Sequence, residues 1–172
     1  MEITKYKDIA PYRGQDVRDA ITRILENKDA IYKILASLGP AETAEQQKQL
    51  AQNAAYIAGI LEKVETYDDF QRHIAAGIFI PAIIQKSMHA FTYSGTEHTK
   101  KDTSYLFMSN HRDIVLDCAL IDMALLQGDR MLCEMAIGDN LLTNQFITDL
   151  FKSHFLASYT EKHFNYIAFS FG

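Results

Sequence analysis

The stretch Tyr105–Gln127, YLFMSNHRDIVLDCALIDMALLQ, constrains this chain most. It opens with a short apolar run, Tyr105–Met108, cut off by the turn formers Ser109 and Asn110. That pattern predicts a buried strand. His111, Arg112 and Asp113 follow in consecutive positions. Asp117 then leads into Ala119, Leu120, Met123, Ala124 and Leu126, which are spaced like one face of a helix. A strand that ends in a His-Arg-Asp turn and feeds a helix is where α/β proteins commonly keep their chemistry.

The remainder of the second half fits that start. Phe91–Ser94 reads as a short strand ending at Gly95, and Thr96–Ser104 as a polar loop. Gly128-Asp129 is a turn. Met131–Ile137 reads as a second buried strand, ending at Gly138-Asp139-Asn140, and Asn144–Phe151 as a helix. Strand, helix, strand, helix predicts a βαβ unit and a mostly parallel sheet. The fold class expected is therefore α/β. A helical region over residues 1–90 would precede a partial α/β core at 91–152 and an atypical tail at 153–172.

The N-terminal region shows helical periodicity. Val17, Ala20, Ile21, Ile24 and Leu25 mark one amphipathic face, with Asp16 as a candidate cap. Ile31, Ile34, Leu35 and Leu38 mark a second, stopped by Gly39-Pro40. Ala41–Val64 has helix-forming composition, with Leu50, Ala54, Ile57, Leu61 and Val64 as its buried stripe. Thr66 or Asp68 would cap a further helix through Phe70, Ile74, Gly77 and Ile78 into Pro81. The run Ile74–Ile84 is well short of the roughly 18 apolar residues that span a bilayer. It reads either as a core helix or as a segment lying in a membrane interface.

Composition limits the function. A net charge of −5 argues against non-specific nucleic-acid binding. The cysteines, Cys118 and Cys133, sit in apolar context without a C-x-x-C pair, so they read as packing residues in a reduced, cytoplasmic protein. His73, His89, His98, His154 and His163 have no ligand-like spacing, and Glu134 and Asp139 read as structural. A metal site on His111, Asp113 and Asp117 is a minor alternative. No cofactor is expected.

The segment S-N-H-R-D-I-V-L-D resembles the first motif of the glycerolipid acyltransferase superfamily, which acylates glycerol 3-phosphate and lysophosphatidate. The likeness extends over Phe91–Leu150, with the Ser94-Gly95 turn and Glu134-Met-Ala-Ile-Gly-Asp-Asn-Leu-Leu142. In that family a His at a strand end is followed by four residues and an Asp. Here five residues separate His111 from Asp117, so the acidic partner is Asp117 or Asp113. The resemblance implies that His111 is the general base, with Asn110 and Arg112 contacting substrate. It implies acyl-CoA or acyl-carrier protein as donor, and glycerol 3-phosphate or a lysophospholipid as acceptor. It further implies a peripheral contact with the inner face of the membrane.

The family's later motifs, a Phe-x-x-Arg phosphate contact, a Glu-Gly loop and a Pro-containing apolar motif, have no counterpart here. The tail KSHFLASYTEKHFNYIAFSFG carries no arginine and fits neither an amphipathic helix nor the expected strand. These features predict a truncated or frame-shifted member with little or no activity. The alternatives are a non-catalytic helical interaction module built on residues 16–90, or a hydrolase using the same His-Asp pair on an ester.

Overall fold

The computed structural model describes residues 10–39, 41–101, 103–110, 112–113, 116–130, 132–154, 156–159 and 167–170. The helical N-terminal region expected from the sequence is present. It contains α1 (Gln15–Glu26), α2 (Lys28–Leu38) and α3 (Ala44–Leu61). A continuous helical rod follows: α4 (Tyr67–Asp69), a π-helical stretch (Phe70–Phe79) and α5 (Ile80–Ser87).

Local chemistry sets these boundaries. The N-cap of α1 is Gly14, in a positive-φ conformation at 56°, and not Asp16, which falls in the first turn. There its carboxylate still complements the helix dipole. Gly39 ends α2, whereas Pro40 lies outside the described residues. Thr43 and Gln46 form a reciprocal capping box at the start of α3. Thr66 and Asp69 do the same for the rod, so the cap falls on the first of the two expected positions.

The π-helical stretch has a reason in Pro81. Proline has no N–H, and in an α-helix its ring would press on the carbonyl four residues back, that of Gly77. Just before it the helix has widened, and the Ile80 N–H bonds the Ala75 carbonyl five residues back. Gly77 sits in the widened turn, where a Cβ would lie 3.2 Å from the Arg72 carbonyl oxygen.

The apolar run of the rod turns one side into the core. Phe70, Ile74, Ala75 and Ile80 are buried, while Arg72, His73 and Ala82 are exposed. Val17, Ile21 and Ile24 of α1, Ile31 of α2, and Ile57 and Leu61 of α3 meet Phe70 and Ile74 in one cluster. Phe146 and Leu150 of α7 (Gln145–His154) complete it. Among the described residues no helix is long and apolar enough to cross a membrane.

The second half contains β1 (Leu106–Ser109), α6 (Leu116–Gln127), β2 (Glu134–Gly138), α7, β3 (Leu156–Tyr159) and β4 (Ile167–Ser170). The strands pair in the order β1-β4-β2-β3. β2 and β3 are parallel, with Met135 opposite Leu156, and α7 connects them. β4 is antiparallel to both β1 and β2, so β1, β2 and β3 share one direction. β1 and β2 are thus separated by β4 and do not pair directly.

Four sequence readings are corrected. The sheet is not mostly parallel: β4 enters between β1 and β2 and pairs antiparallel with both, so two of the three pairings are antiparallel. Phe91–Ser94 is irregular rather than a strand; its Phe91 and Tyr93 rings stack at 5.8 Å before the left-handed Gly95. Among the described residues the second strand starts at Glu134, three residues later than expected. The tail, read as neither helix nor strand, supplies β3 and β4. Strand formation there depends on the neighbours that complete the ladder, which local composition does not encode.

A second, smaller core holds α6 against the strands. Cys118 and Leu125 of α6 meet Cys133 and Met135, with Phe107 of β1 and Ile121 alongside. β1 is not the buried strand expected: its alternation places Phe107 inward and leaves Leu106 and Met108 exposed, at 64% and 68%.

Candidate active site

β1 ends at Ser109 and α6 begins at Leu116, so the His-Arg-Asp segment falls between a strand and a helix, as the sequence pattern requires. Carboxylate chemistry closes the turn. Asp117 Oδ2 accepts the backbone N–H of Arg112 at 2.6 Å and that of Asp113 at 2.9 Å. Asp113 Oδ1 accepts the N–H of Leu116 at 2.8 Å, a helix-capping bond from the side chain to the amide three residues on. Asp113 therefore satisfies an amide at the start of α6 that the helix leaves without a partner, and Asp117 satisfies two amides of the segment before it.

The two candidate acids are thereby told apart by position. Asp113 is exposed and starts the helix. Asp117 is half-buried and reaches back to the two amides that follow His111. His111 itself lies outside the described residues. Asn110 and Arg112, the candidate substrate contacts, are both exposed.

Neither thiol near this turn is suited to nucleophilic attack. Burial, with Asp122, Asp117 and Asp113 adding their charge, pushes the Cys118 thiol up to about 12. Burial pushes the Cys133 thiol up as well. Both remain protonated near neutrality, where a nucleophile would have to be a thiolate. Among the described residues no group of three or more His, Cys, Asp or Glu is placed to hold a metal ion.

Glu134 has a structural partner. Its carboxylate pairs with Arg13, whose guanidinium lies 3.7 Å from the centroid of the Tyr67 ring. The three line a cleft of about 380 Å³ with Gln71 and Leu132. A second cleft of about 440 Å³ shares Gln71 and Leu132 and adds Arg72, Lys101 and Arg130. Leu132, just before β2, lines both, and neither lining includes Arg112 or Asp113. Their charges are largely consumed internally: Lys101 pairs with Asp129, and Arg130 donates to the carbonyls of Gly128 and Thr99.

Two buried acids escape sequence reading. Asp149 of α7 is fully buried and receives Arg23 in a bidentate pair at 2.9 and 2.7 Å, with Tyr12 and Gln145 also donating to it. Asp122 of α6 is fully buried and accepts the Cys133 amide at 2.9 Å. A signal for Asp122 exists: it falls four residues after Cys118 and three before Leu125, on the stripe that packs inward.

No protein-family description, curated protein or solved structure matches this chain.

Proposed function

We propose that the β1–α6 turn is the general-base site of a glycerolipid acyltransferase. It would move an acyl group from acyl-CoA or acyl-carrier protein to the hydroxyl of glycerol 3-phosphate or a lysophospholipid. The observation that carries this reading is the placement of Asp117, whose carboxylate binds the two amides directly after His111. A carboxylate tied to the residues that follow a strand-end histidine in sequence suits the orientation of an imidazole and the stabilisation of its cation.

In this reading His111 takes the proton of the acceptor hydroxyl, and the oxygen attacks the thioester carbonyl. The tetrahedral intermediate collapses by breaking the carbon–sulfur bond, and the imidazolium returns its proton to the leaving thiolate. No acyl-enzyme forms, in keeping with two thiols held protonated by burial. Base catalysis of this kind contributes about 10²–10⁴-fold. Arg112, exposed beside the base, takes the acceptor phosphate, for which a planar guanidinium is suited. Asn110 contacts the substrate from the other side of His111.

The α/β assignment belongs to the same proposal. β2 and β3 pair in parallel across α7, which supports a βαβ element following a helical region, while β4 pairs antiparallel with β1 and β2. Location in the cytoplasm, peripheral to the inner face of the membrane, is part of it as well. The family's later phosphate-contact motifs have no counterpart in the 172 residues, so turnover by this chain is slow.

The test is incubation with labelled palmitoyl-CoA and either glycerol 3-phosphate or lysophosphatidate. Slow product formation that requires both donor and acceptor is expected. Release of free acid at the same rate without acceptor would assign a hydrolase and overturn the proposal.

A further inference from the structure

The carboxyl of Asp122 is the one buried acid that lacks a full set of partners among the described residues. It is fully buried in the cluster that docks α6 on β2, beside Cys118, Leu125, Cys133 and Met135. Oδ1 accepts the Cys133 amide at 2.9 Å, and Oδ2 has no hydrogen-bond partner. Asp149 offers the contrast, for it is equally buried but faces Arg23, Tyr12 and Gln145. An ionised carboxylate with one oxygen unsatisfied is costly to bury, and a neutral one much less so.

We propose that Asp122 is a proton switch for α6: the helix docks on β2 with this carboxyl neutral, and loss of its proton loosens the helix together with the Asp113–Asp117 turn at its N-terminal end. The proposal concerns the packing of α6 and stands whether or not the turn is an acyltransferase site.

The groups around Asp122 offer no counter-charge. Along α6 itself the other titratable residues are Asp117 and Cys118, neither of them cationic. On the β2 side Cys133 supplies its amide and thiol, and Glu134 is held by Arg13. From the helical rod comes Tyr67, whose hydroxyl is pushed up by burial and then by the charges of Glu134 and Asp122. Gln71 donates to that hydroxyl at 2.8 Å. The cations Arg72 of the π-helical stretch and Lys86 of α5, and His73 beside them, are all exposed.

Burial accordingly pushes the Asp122 carboxyl up to about 7, opposed only by the Cys133 amide and thiol. An unfolded aspartate titrates near ~3.9. Because the folded value is the higher one, docking is fully supported below the unfolded value. The support is lost as pH rises through the interval up to about 7, and docking is weakest above it. The thiols titrate far above this window and do not contribute.

The experiment is a carboxyl-carbon NMR titration of Asp122 in the full chain. Amide hydrogen exchange of α6 would be followed over the same range, from about two pH units below neutrality to one above. A midpoint near neutrality is expected. The protection of α6, corrected for intrinsic exchange, should fall about tenfold per unit below that midpoint and level off above it. Asp122→Asn should remove that pH dependence. A midpoint in the ordinary carboxylate range, or α6 protection that does not change with pH, would overturn the proposal. The titration uses the unaltered chain, so it decides the matter even if Asp122→Asn fails to fold.

Discussion

Asp117 and Asp113 bind across one helical turn, with Asp117 Oδ2 accepting the Asp113 N–H at 2.9 Å while Asp113 Oδ1 caps Leu116. The arrangement is close to a capping box, with the return bond made from one position later. It gives the two acids different duties. Asp113 starts α6, and Asp117 ties the start of α6 to the segment that carries His111.

Single substitutions should separate those duties. Asp113→Ala removes one capping bond and should lower stability by about 1 kcal/mol, the usual cost of a lost cap. Asp117→Ala removes the acceptor of two amides and the carboxylate assigned to orient His111. It should therefore reduce acylation at least tenfold more than Asp113→Ala does. Urea unfolding and initial rates of both variants check this. Equal loss of activity in the two would assign the carboxylate role to neither acid in particular.

The Arg23–Asp149 pair joins the first helix to α7, and splitting it should be costly. The Tyr12 N–H also bonds the Lys152 carbonyl at 2.9 Å, so the N-terminal segment is fastened to α7 at two points. Arg23→Ala would leave a fully buried carboxylate with only neutral donors. The expected loss is about 2–3 kcal/mol, below that for a wholly buried pair because Arg23 is partly exposed. The urea midpoint of Arg23→Ala measures it, and an unchanged midpoint would show that the pair contributes nothing net.

The apolar run of the rod yields a different kind of prediction. Ile74 is fully buried against α1 and α3, whereas Ala82 is exposed. Ile74→Ala should cost about 2–5 kcal/mol, as large-to-small core changes do. Ala82→Ser should lie within about 0.5 kcal/mol of the parent. Thermal unfolding of the two variants distinguishes a run whose main task is packing from one held in place by a lipid surface.

Helix was legible in this sequence wherever a periodic apolar face met a packing partner. Val17, Ala20, Ile21 and Ile24 repeat at helical spacing, and all four are buried. Gly39 and Thr66 punctuate the chain where turn chemistry says they should. The His-Arg-Asp turn was legible from Tyr105–Asp117 because strand end, polar triplet and helix start follow one another without interruption. The division of labour between Asp113 and Asp117 was not, since spacing alone does not say which carboxylate folds back on which amide. Phe91–Ser94 looked like a strand but has no ladder to join, and Leu156–Tyr159 looked like neither element yet pairs with β2. Both misreadings have one cause: a strand is defined by its neighbour, and the neighbour is remote in sequence. Asp122 and Asp149 were hidden for a related reason. An acid on a helix is ordinarily solvated, and only tertiary packing reveals that these two are enclosed.

The most direct test of the acyltransferase reading is the rate of acylation of glycerol 3-phosphate by the His111→Ala variant, compared with the parent chain under identical donor and acceptor. The account predicts parent activity above the uncatalysed background and a fall of about 10²-fold or more in the variant, with its unfolding midpoint unchanged. Equal rates in the two chains, or no acylation by the parent with any donor, would contradict it.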